Sequence, residues 1–172
     1  KGVAVSHRSA AAFVDAEARL FVQHGVRKIL KAGAIPVVLG GDHSINIPCI
    51  EAFSEEEPIH VIQFDAHTDT WADEGDRIDH GTMMWYAVRD GLVDPGHSVQ
   101  VGIRTHNPDP LGFNIVNAID VQKSGPEAVA AKIKAIVGRE PCYITFDIDC
   151  LDPSAAPGTG TPVPGGLTSY QA

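Results

Sequence analysis

The stretch IHVIQFDAHTD at residues 59–69 decides which kind of fold this chain can form. Its first half is a short apolar run, typical of a strand buried in a parallel sheet. Its second half places Asp65, His67 and Asp69 at alternate positions directly after that run. In open parallel sheets, ligands bind beyond the carboxyl ends of the strands. The stretch therefore predicts a buried strand that ends at a polar site.

Helical periodicity recurs on both sides of this strand. Residues 9–32 place an apolar stripe on one helical face, formed by Val14, Ala18, Phe21, Val22, Val26 and Ile29. A later helix is predicted to begin near Ser124, because Ser124 and Glu127 have the spacing of a capping box. Two further helices are predicted, over 44–54 and 82–91.

Short apolar runs alternate with these helices and predict four more strands, at 35–39, 98–103, 113–118 and 142–146. Strands that alternate with helices of ten or more residues are typical of a parallel sheet covered by helices. No internal repeat or domain linker interrupts the pattern. We therefore predict a single α/β domain over residues 1–172, with a three-layer αβα architecture in which the central sheet is mainly parallel.

Composition excludes several classes of protein. The chain has 172 residues, 44% of them hydrophobic, which is enough for one compact domain with its own core. No stretch approaches the ~20 apolar residues of a membrane span, so no membrane partner is expected. The net charge of −9 argues against a nucleic-acid partner and suits a small cationic substrate. Three cysteines without paired metal spacing predict reduced thiols in a cytoplasmic protein.

Two other predicted strands also end in polar residues. The strand at 35–39 leads to GGDH, which contains His43, and the strand at 142–146 leads to DID, which contains Asp147 and Asp149. Because parallel strands bring their carboxyl ends to one edge, two imidazoles and four carboxylates are expected to meet there. This donor set suits a divalent ion such as Mn²⁺ better than a soft ion.

The charge of this predicted cluster indicates two ions. Four carboxylates carry −4, which two divalent cations neutralise. A carboxylate can bridge two metals, so six side chains are enough for a pair of ions about 3.5–4 Å apart. Such a pair lowers the pKa of a shared water, and the resulting hydroxide leaves a charge of about −1. The cluster would then complement an electrophile that is itself positive.

Ordinary structural roles compete with metal binding at these positions. Carboxylates that follow strands often cap the next helix. For Asp42, beside His43, a capping role is as good an explanation as support of a metal ligand. Surface or core roles are expected for the histidines outside the strand ends, which are His7, His24, His60, His97 and His106.

The motifs GGDHS, FDAHTDT and FDIDCLDPSAAPGTGTPVPGGLT resemble the metal-binding signatures of the ureohydrolases, the arginase and agmatinase superfamily. The resemblance runs along essentially the whole chain and implies an arginase-like fold with two Mn²⁺ per chain. The implied ligands of the first ion are His43, Asp65, Asp69 and Asp147. Those of the second ion are Asp65, His67, Asp147 and Asp149. Asp65 and Asp147 belong to both sets and would bridge the two ions.

The same resemblance implies metal-assisted hydrolysis of a guanidinium group. Asp69 would carry a proton to the departing amine, and His80, in the motif DHGT, would relay the proton that restores the nucleophile. Thr161, in GTGT, falls in the loop that lines the family's substrate pocket. Trp71 and Tyr86 are candidates to stack on the guanidinium, with packing in the core as the alternative for each.

The segment after HTD is similar to agmatinases and lacks the carboxylate-reading segment of arginases. It is rich in acids that would repel an α-carboxylate, with a solvated loop face as the alternative role, namely Asp73, Glu74, Asp76 and Asp79. Agmatine, cleaved to putrescine and urea in polyamine biosynthesis, is the expected substrate. The alternatives are 4-guanidinobutyrate with Arg77 or Arg89 as its cation, an inactive metal-binding homologue, and the related deacetylases, which generally keep one metal.

The resemblance also carries expectations about extent and assembly. Family chains continue on both sides of the matching region, so the chain is expected to be a fragment that lacks N- and C-terminal segments. Its sheet and its substrate site are expected to be incomplete for that reason. Family members are commonly trimers or hexamers, and a homo-oligomer is expected here.

Overall fold

The computed structural model describes residues 5–6, 16–72 and 78–172. Helices and strands alternate along this part of the chain, in which no helix is both long and apolar enough to cross a membrane. The elements are β1 (Val5–Ser6), α1 (Ala16–Lys31), β2 (Val38–Leu39), α2 (Asn46–Phe53), β3 (His60–Phe64), α3 (Met83–Arg89), β4 (Val99–Ile103), β5 (Asn114–Asn117), α4 (Ala118–Val137) and β6 (Cys142–Phe146). Three short 3₁₀ turns lie at His43–Ile45, Pro95–His97 and Ile148–Cys150.

Every strand pairing among the described residues is parallel, as predicted. Four strands form one sheet in the order β5-β4-β3-β6, and β1 pairs separately with β2. In β3, Phe64 lies opposite Val101 of β4 on one side and opposite Phe146 of β6 on the other. The segments that follow these strands therefore leave the sheet at one edge.

Helices cover both faces of the larger sheet. On one face, α2 and α3 pack around Val61 through buried side chains such as Ile47 and Met83. On the other face, α4 packs against Ile62 through residues that include Val129. Val61 and Ile62 are neighbours in β3, and successive side chains of a strand point to opposite faces. The three-layer αβα arrangement with a parallel sheet is confirmed.

Helix α1 buries a narrower stripe than the sequence predicts. Val22 and Val26 are buried and cluster with Cys49 of α2. Phe21 is 62% exposed, so its predicted place on the buried stripe is wrong. It is offset from Val22 by one residue, which is about 100° around the helix, and α1 packs against α2 along one side only. Val14 lies outside the described residues.

Helix α4 begins before the predicted capping box. Asn117 is its N-cap, and the side chain accepts the N–H of Asp120 at 2.8 Å. The helix kinks at Gly125, where φ is +78°, and Pro126 follows. Gly125 adopts this left-handed conformation without steric cost, and Pro126 has no N–H to donate to the preceding turn. The boundary predicted near Ser124 is therefore the kink inside α4.

Candidate metal centre

The structure brings all six predicted ligands into one cluster at the carboxyl edge of the sheet. The N–H of Asp65 donates to the carbonyl of Val101 at 3.0 Å, and that of Asp147 donates to Phe64 at 2.9 Å. These bonds continue the pairing of β3 with β4 and β6 by one residue, so both carboxylates are held at the same edge. His43 reaches them from the turn that follows β2.

His43 lies within reach of three carboxylate oxygens. The distances from its Nδ1 are 3.0 Å to Asp65 Oδ2, 2.9 Å to Asp69 Oδ2 and 3.3 Å to Asp147 Oδ2. Ligand atoms about 2.1 Å from an octahedral ion lie about 3.0 Å from their neighbours. The three distances from His43 Nδ1 therefore match the spacing of adjacent ligands around one small divalent ion.

Asp65 also belongs to a second group, together with His67 and Asp149. His67 Nδ1 lies 3.1 Å from Asp149 Oδ2 and 3.5 Å from Asp65 Oδ1. Asp65 thus presents Oδ2 to the first group and Oδ1 to the second, as a bridging carboxylate does. Asp147 shows no such arrangement, because its Oδ2 faces the first group and Asp147 is not a member of the second. Its role as a second bridge stays a prediction.

The cluster holds more negative charge than the protein alone stabilises. Burial, reinforced by the neighbouring Asp65 carboxylate, raises the pKa of Asp69 to about 8. Burial also disfavours ionised Asp65, but hydrogen bonds from His43 and His67 outweigh it and hold its pKa well below the usual range. Hydrogen bonds to Asp149 and Asp65 raise the pKa of His67 to about 10. Divalent cations would relieve this crowding of carboxylates, so the residues present fit a pair of ions.

The start of α3 holds Asp69 in place. Asp69 has a φ of +54°, in the left-handed region that aspartate tolerates better than most residues. Its carbonyl accepts the N–H groups of Met84 at 3.0 Å and Trp85 at 3.4 Å. Because the first N–H groups of a helix have no partner within the helix, α3 fixes the backbone that carries this carboxylate.

Asp42 caps the turn that carries His43. Its Oδ1 accepts the N–H of Ser44 at 2.9 Å, at the start of the 3₁₀ turn His43–Ile45. Capping, one of the two roles left open for Asp42, is the one that the structure shows. The cap also fixes the backbone beside a candidate ligand.

The sequence analysis missed a chain of hydrogen-bonded polar side chains that contacts His43 on the side of the ring away from the carboxylates. His43 Nε2 lies 2.8 Å from Thr145 Oγ1 and would donate to it when Nδ1 binds a metal. Thr145 Oγ1 also accepts from Asn46 Nδ2 at 2.9 Å, and Tyr143 donates its hydroxyl to Asn46 Oδ1 at 2.6 Å. Tyr143 and Thr145 are two residues apart in the apolar strand β6, so they lie on the same face of the sheet. This spacing of polar side chains in an apolar strand was the sequence signal for the chain.

Two buried glutamines lie beneath the cluster and were also missed. Gln63 Nε2 donates to Asp65 Oδ2 at 2.7 Å. Gln100 Nε2 donates to Gln63 Oε1 and to the carbonyl of Thr68, each at 2.7 Å. Both amides sit inside apolar strands, where a fully buried polar side chain needs partners. They join β3 and β4 directly below the bridging carboxylate.

Arg104, which follows β4, ties the ligand loop after β6 to the loop around Val163. Its Nη2 donates to the carbonyls of Asp149 at 2.6 Å, Leu151 at 3.2 Å and Val163 at 2.6 Å. Burial lowers the pKa of Arg104 from its usual value. The guanidinium therefore stabilises the backbone of both loops through carbonyl contacts. Nothing in the local sequence indicated this role.

An open cavity of about 1000 Å³ lies beside the cluster. His43, His80 and the loop 158–161 are among the residues that line it, and His80 is exposed to solvent. Thr161 Oγ1 donates to Asp149 Oδ2 at 2.9 Å. The structure thus places Thr161 both at the cavity and on a candidate metal ligand.

The aromatic candidates lie elsewhere. Trp71 is 50% exposed, and its backbone N–H donates to the carbonyl of Gly81. It is not among the described residues that line the cavity. Tyr86 is buried, and the guanidinium of Arg89 lies 4.5 Å from the centre of its ring. Tyr86 therefore takes the core role that the sequence analysis left open.

The acidic loop is described only in part. Asp79 is buried, and its Oδ1 accepts the N–H of Gly81 at 2.9 Å, so this acid shapes the turn before α3. Its burial excludes a solvated loop face for Asp79, and the expectation that it repels an α-carboxylate stays a prediction. The other charged residues of the loop, Asp73, Glu74, Asp76 and Arg77, lie outside the described residues.

Two of the remaining histidines belong to a cluster that the sequence analysis did not predict. His24, His97 and His106 are exposed, in agreement with a surface role, and His60 is half-buried. His60 and His97 lie together with Asp94. This cluster was missed because His60 and His97 come from different elements. His7 lies outside the described residues.

The chain matches the model of the arginase family over residues 9–172. An agmatinase from Chromobacterium violaceum is 53% identical over 154 residues, which cover 88% of this chain and 48% of that protein. The crystal structure of a hypothetical agmatinase from Burkholderia thailandensis is 50% identical with a TM-score of 0.87, covering 90% of this chain and 50% of that one. Proclavaminate amidino hydrolase from Streptomyces clavuligerus is 39% identical with a TM-score of 0.83, covering 90% and 55%. The chain spans about half the length of the curated relatives it matches.

Proposed function

Because the chain belongs to the arginase family, we propose that the protein hydrolyses the guanidinium group of agmatine to putrescine and urea with two Mn²⁺ ions. One observation carries the proposal: Asp65 presents one carboxylate oxygen to each of two ligand groups. Similarity to proteins named agmatinase, which are about half identical to this chain, supports agmatine as the guanidino substrate. The reaction would serve polyamine biosynthesis.

The ligands divide between two ions that share Asp65. His43, Asp69 and Asp147 would hold one ion, and the other candidate ligands are His67 and Asp149. When bound, the ions supply Lewis acidity that lowers the pKa of water towards neutrality and stabilises negative charge. Carboxylates and imidazoles suit Mn²⁺. Burial raises the pKa of the Cys150 thiol to about 12, which disfavours the thiolate in the metal-free protein.

Two side chains are placed to move protons. Asp69, whose Oδ2 lies 2.9 Å from His43 Nδ1 among the candidate ligands, can accept a proton there and return it to the departing amine. His80 lies at the cavity and is exposed, so it can pass protons between the cavity and bulk water. Thr161 holds Asp149 through its hydroxyl and keeps the loop that carries it at the mouth of the site.

The cavity favours a cation that carries no carboxylate. Among the described residues that line it, none is lysine or arginine. The carboxylates would attract a guanidinium and repel an α-carboxylate. Arg89, one of two cations considered for 4-guanidinobutyrate, lies over the rings of Trp85 and Tyr86 and pairs with Asp90 at 2.7 Å.

Substrate preference tests this proposal. The Mn²⁺-loaded whole protein is expected to prefer agmatine over arginine by at least ~10²-fold in kcat/KM. Burying the unpaired α-carboxylate of arginine would cost several kcal/mol, and each ~1.4 kcal/mol corresponds to a factor of ten. Urea release is measured from agmatine, arginine and 4-guanidinobutyrate side by side. Comparable rates on arginine would contradict agmatine as the substrate, and a preference for 4-guanidinobutyrate would identify that alternative.

We also propose that the protein acts in the cytoplasm as a homo-oligomer, with its small cationic substrate as its chemical partner. The three cysteines are free thiols, which suits a reducing compartment. A trimer or a hexamer is the expected assembly, and no nucleic-acid partner is expected at a net charge of −9.

A further inference from the structure

A second polar cluster lies at the opposite end of the sheet from the candidate metal centre. His60 begins β3, and five residues at about 3.3 Å each place it roughly 16 Å from Asp65. Asp94 and His97 belong to the turn that leads into β4, the parallel neighbour of β3. One nitrogen or oxygen from each of these three side chains lies within 4.8 Å of the others.

Hydrogen bonds fix which nitrogen each imidazole has free. His60 Nδ1 lies 3.1 Å from the carbonyl of Val137, and a carbonyl only accepts, so Nδ1 carries the hydrogen. His97 Nδ1 lies 2.8 Å from Asp94 Oδ2. Hydrogen bonds, of which the one from the His97 ring is the strongest, lower the pKa of Asp94. The carboxylate is therefore ionised at neutral pH and, like the carbonyl of Val137, can only accept a hydrogen bond. Both rings therefore keep a free lone pair on Nε2.

This is the arrangement that histidine ligands of metals have in proteins. Such histidines almost always donate their other N–H to a backbone carbonyl or a carboxylate, which orients the ring and increases its basicity. Val137 supplies the carbonyl for His60, and Asp94 supplies the carboxylate for His97. Val137 is also the last residue of α4, and the C-terminal end of a helix carries partial negative charge that favours a nearby cation.

The two rings are close to each other. Their centroids lie 5.2 Å apart, with 17° between the ring planes. The side chain of His97 is 62% exposed, so water can reach the cluster. Helix capping accounts for Asp94, whose Oδ1 accepts the N–H of Gly96 at 3.0 Å. Capping does not account for His60, which begins β3 and does not belong to this turn.

We propose that the Nε2 atoms of His60 and His97 bind a Zn²⁺ ion, with Asp94 orienting His97 and offsetting part of the ion's charge. Imidazole donors suit Zn²⁺, whereas the carboxylate-rich cluster around Asp65 suits Mn²⁺. Water molecules would complete the coordination, because the cluster lies at the surface. The bound ion would join the start of β3 to the turn before β4. This proposal does not rest on the proposed hydrolase function.

Zinc binding by matched variants tests the site. The metal-free protein, His60→Asn, His97→Asn and the exposed control His24→Asn are each dialysed against Zn²⁺ alone, and bound zinc is counted per chain. The wild type and His24→Asn are expected to bind one more zinc than His60→Asn or His97→Asn. After loading with Mn²⁺ instead, all four proteins are expected to hold the same amount of manganese, which checks that they are folded.

Asp94→Asn provides the second measurement. Asparagine keeps an oxygen that can cap Gly96 but loses the negative charge, so zinc affinity at this site is expected to fall by ~10–100-fold. Equal zinc stoichiometry and affinity in all variants would overturn the proposal. Loss of the same zinc in His24→Asn would overturn it too, since binding would then be a general property of surface histidines.

Discussion

Replacing Asp65 by alanine is expected to remove both Mn²⁺ ions and to lower urea release by on the order of 10³-fold or more. Asp65 is buried and presents one oxygen to His43 and the other to His67, so it contributes to both ion sites. Metal ions contribute several kcal/mol to transition-state stabilisation, and ~4 kcal/mol corresponds to about 10³-fold in rate. Bound manganese and turnover are measured on the same sample.

His67→Ala is the matched comparison for Asp65→Ala. His67 belongs to one ligand group only and carries no negative charge when it binds a metal, so its loss should weaken one ion and spare the other. Asp65→Asn keeps the volume of the side chain and separates loss of charge from loss of packing. If Asp65→Ala retained both ions, the bridging role inferred from its two oxygens would be wrong.

His80→Asn is expected to lower kcat by ~10²–10⁴-fold, the usual range for a group that transfers protons. His80 is exposed at the cavity and belongs to neither candidate ligand group, so manganese content should not change. Turnover of the Mn²⁺-loaded whole protein is measured with and without added imidazole, which should restore part of the rate. His24→Asn, exposed on α1, is the control and should keep full activity.

Metal analysis of His80→Asn separates proton transfer from ligation. A variant that turns over slowly but keeps its manganese supports a role in proton transfer. A variant that loses manganese would make His80 a ligand and contradict that role. Unchanged turnover would show that protons reach the site by another route.

The polar ends of the strands were predictable because they depend on a rule of the fold. Parallel strands must end at one edge, so the segments that begin at Asp65 and Asp147 could be placed together before any contact was known. The structure brings them together as that rule requires. The alternation of apolar runs and helical periods likewise predicted the layers, since each period depends on local geometry alone.

The supporting residues were not predictable in the same way. Thr145 meets His43 across 102 residues of sequence, and Arg104 meets Val163 across 59. Periodicity indicates which face of an element a side chain lies on, but it does not indicate which other element that face meets. The cluster of His60 and His97 was missed for this reason. Phe21 failed similarly, because the width of the buried stripe on α1 depends on how α2 packs against it.

The number of manganese ions bound per chain tests the central claim most directly. Metal-free protein is saturated with Mn²⁺, unbound metal is removed, and metal and protein are quantified in the same sample. Two ions per chain are expected, because the two ligand groups that share Asp65 each have the donors for one divalent cation. One ion would indicate a single-metal site of the kind that related deacetylases keep. One ion or none would contradict the two-metal account of this site.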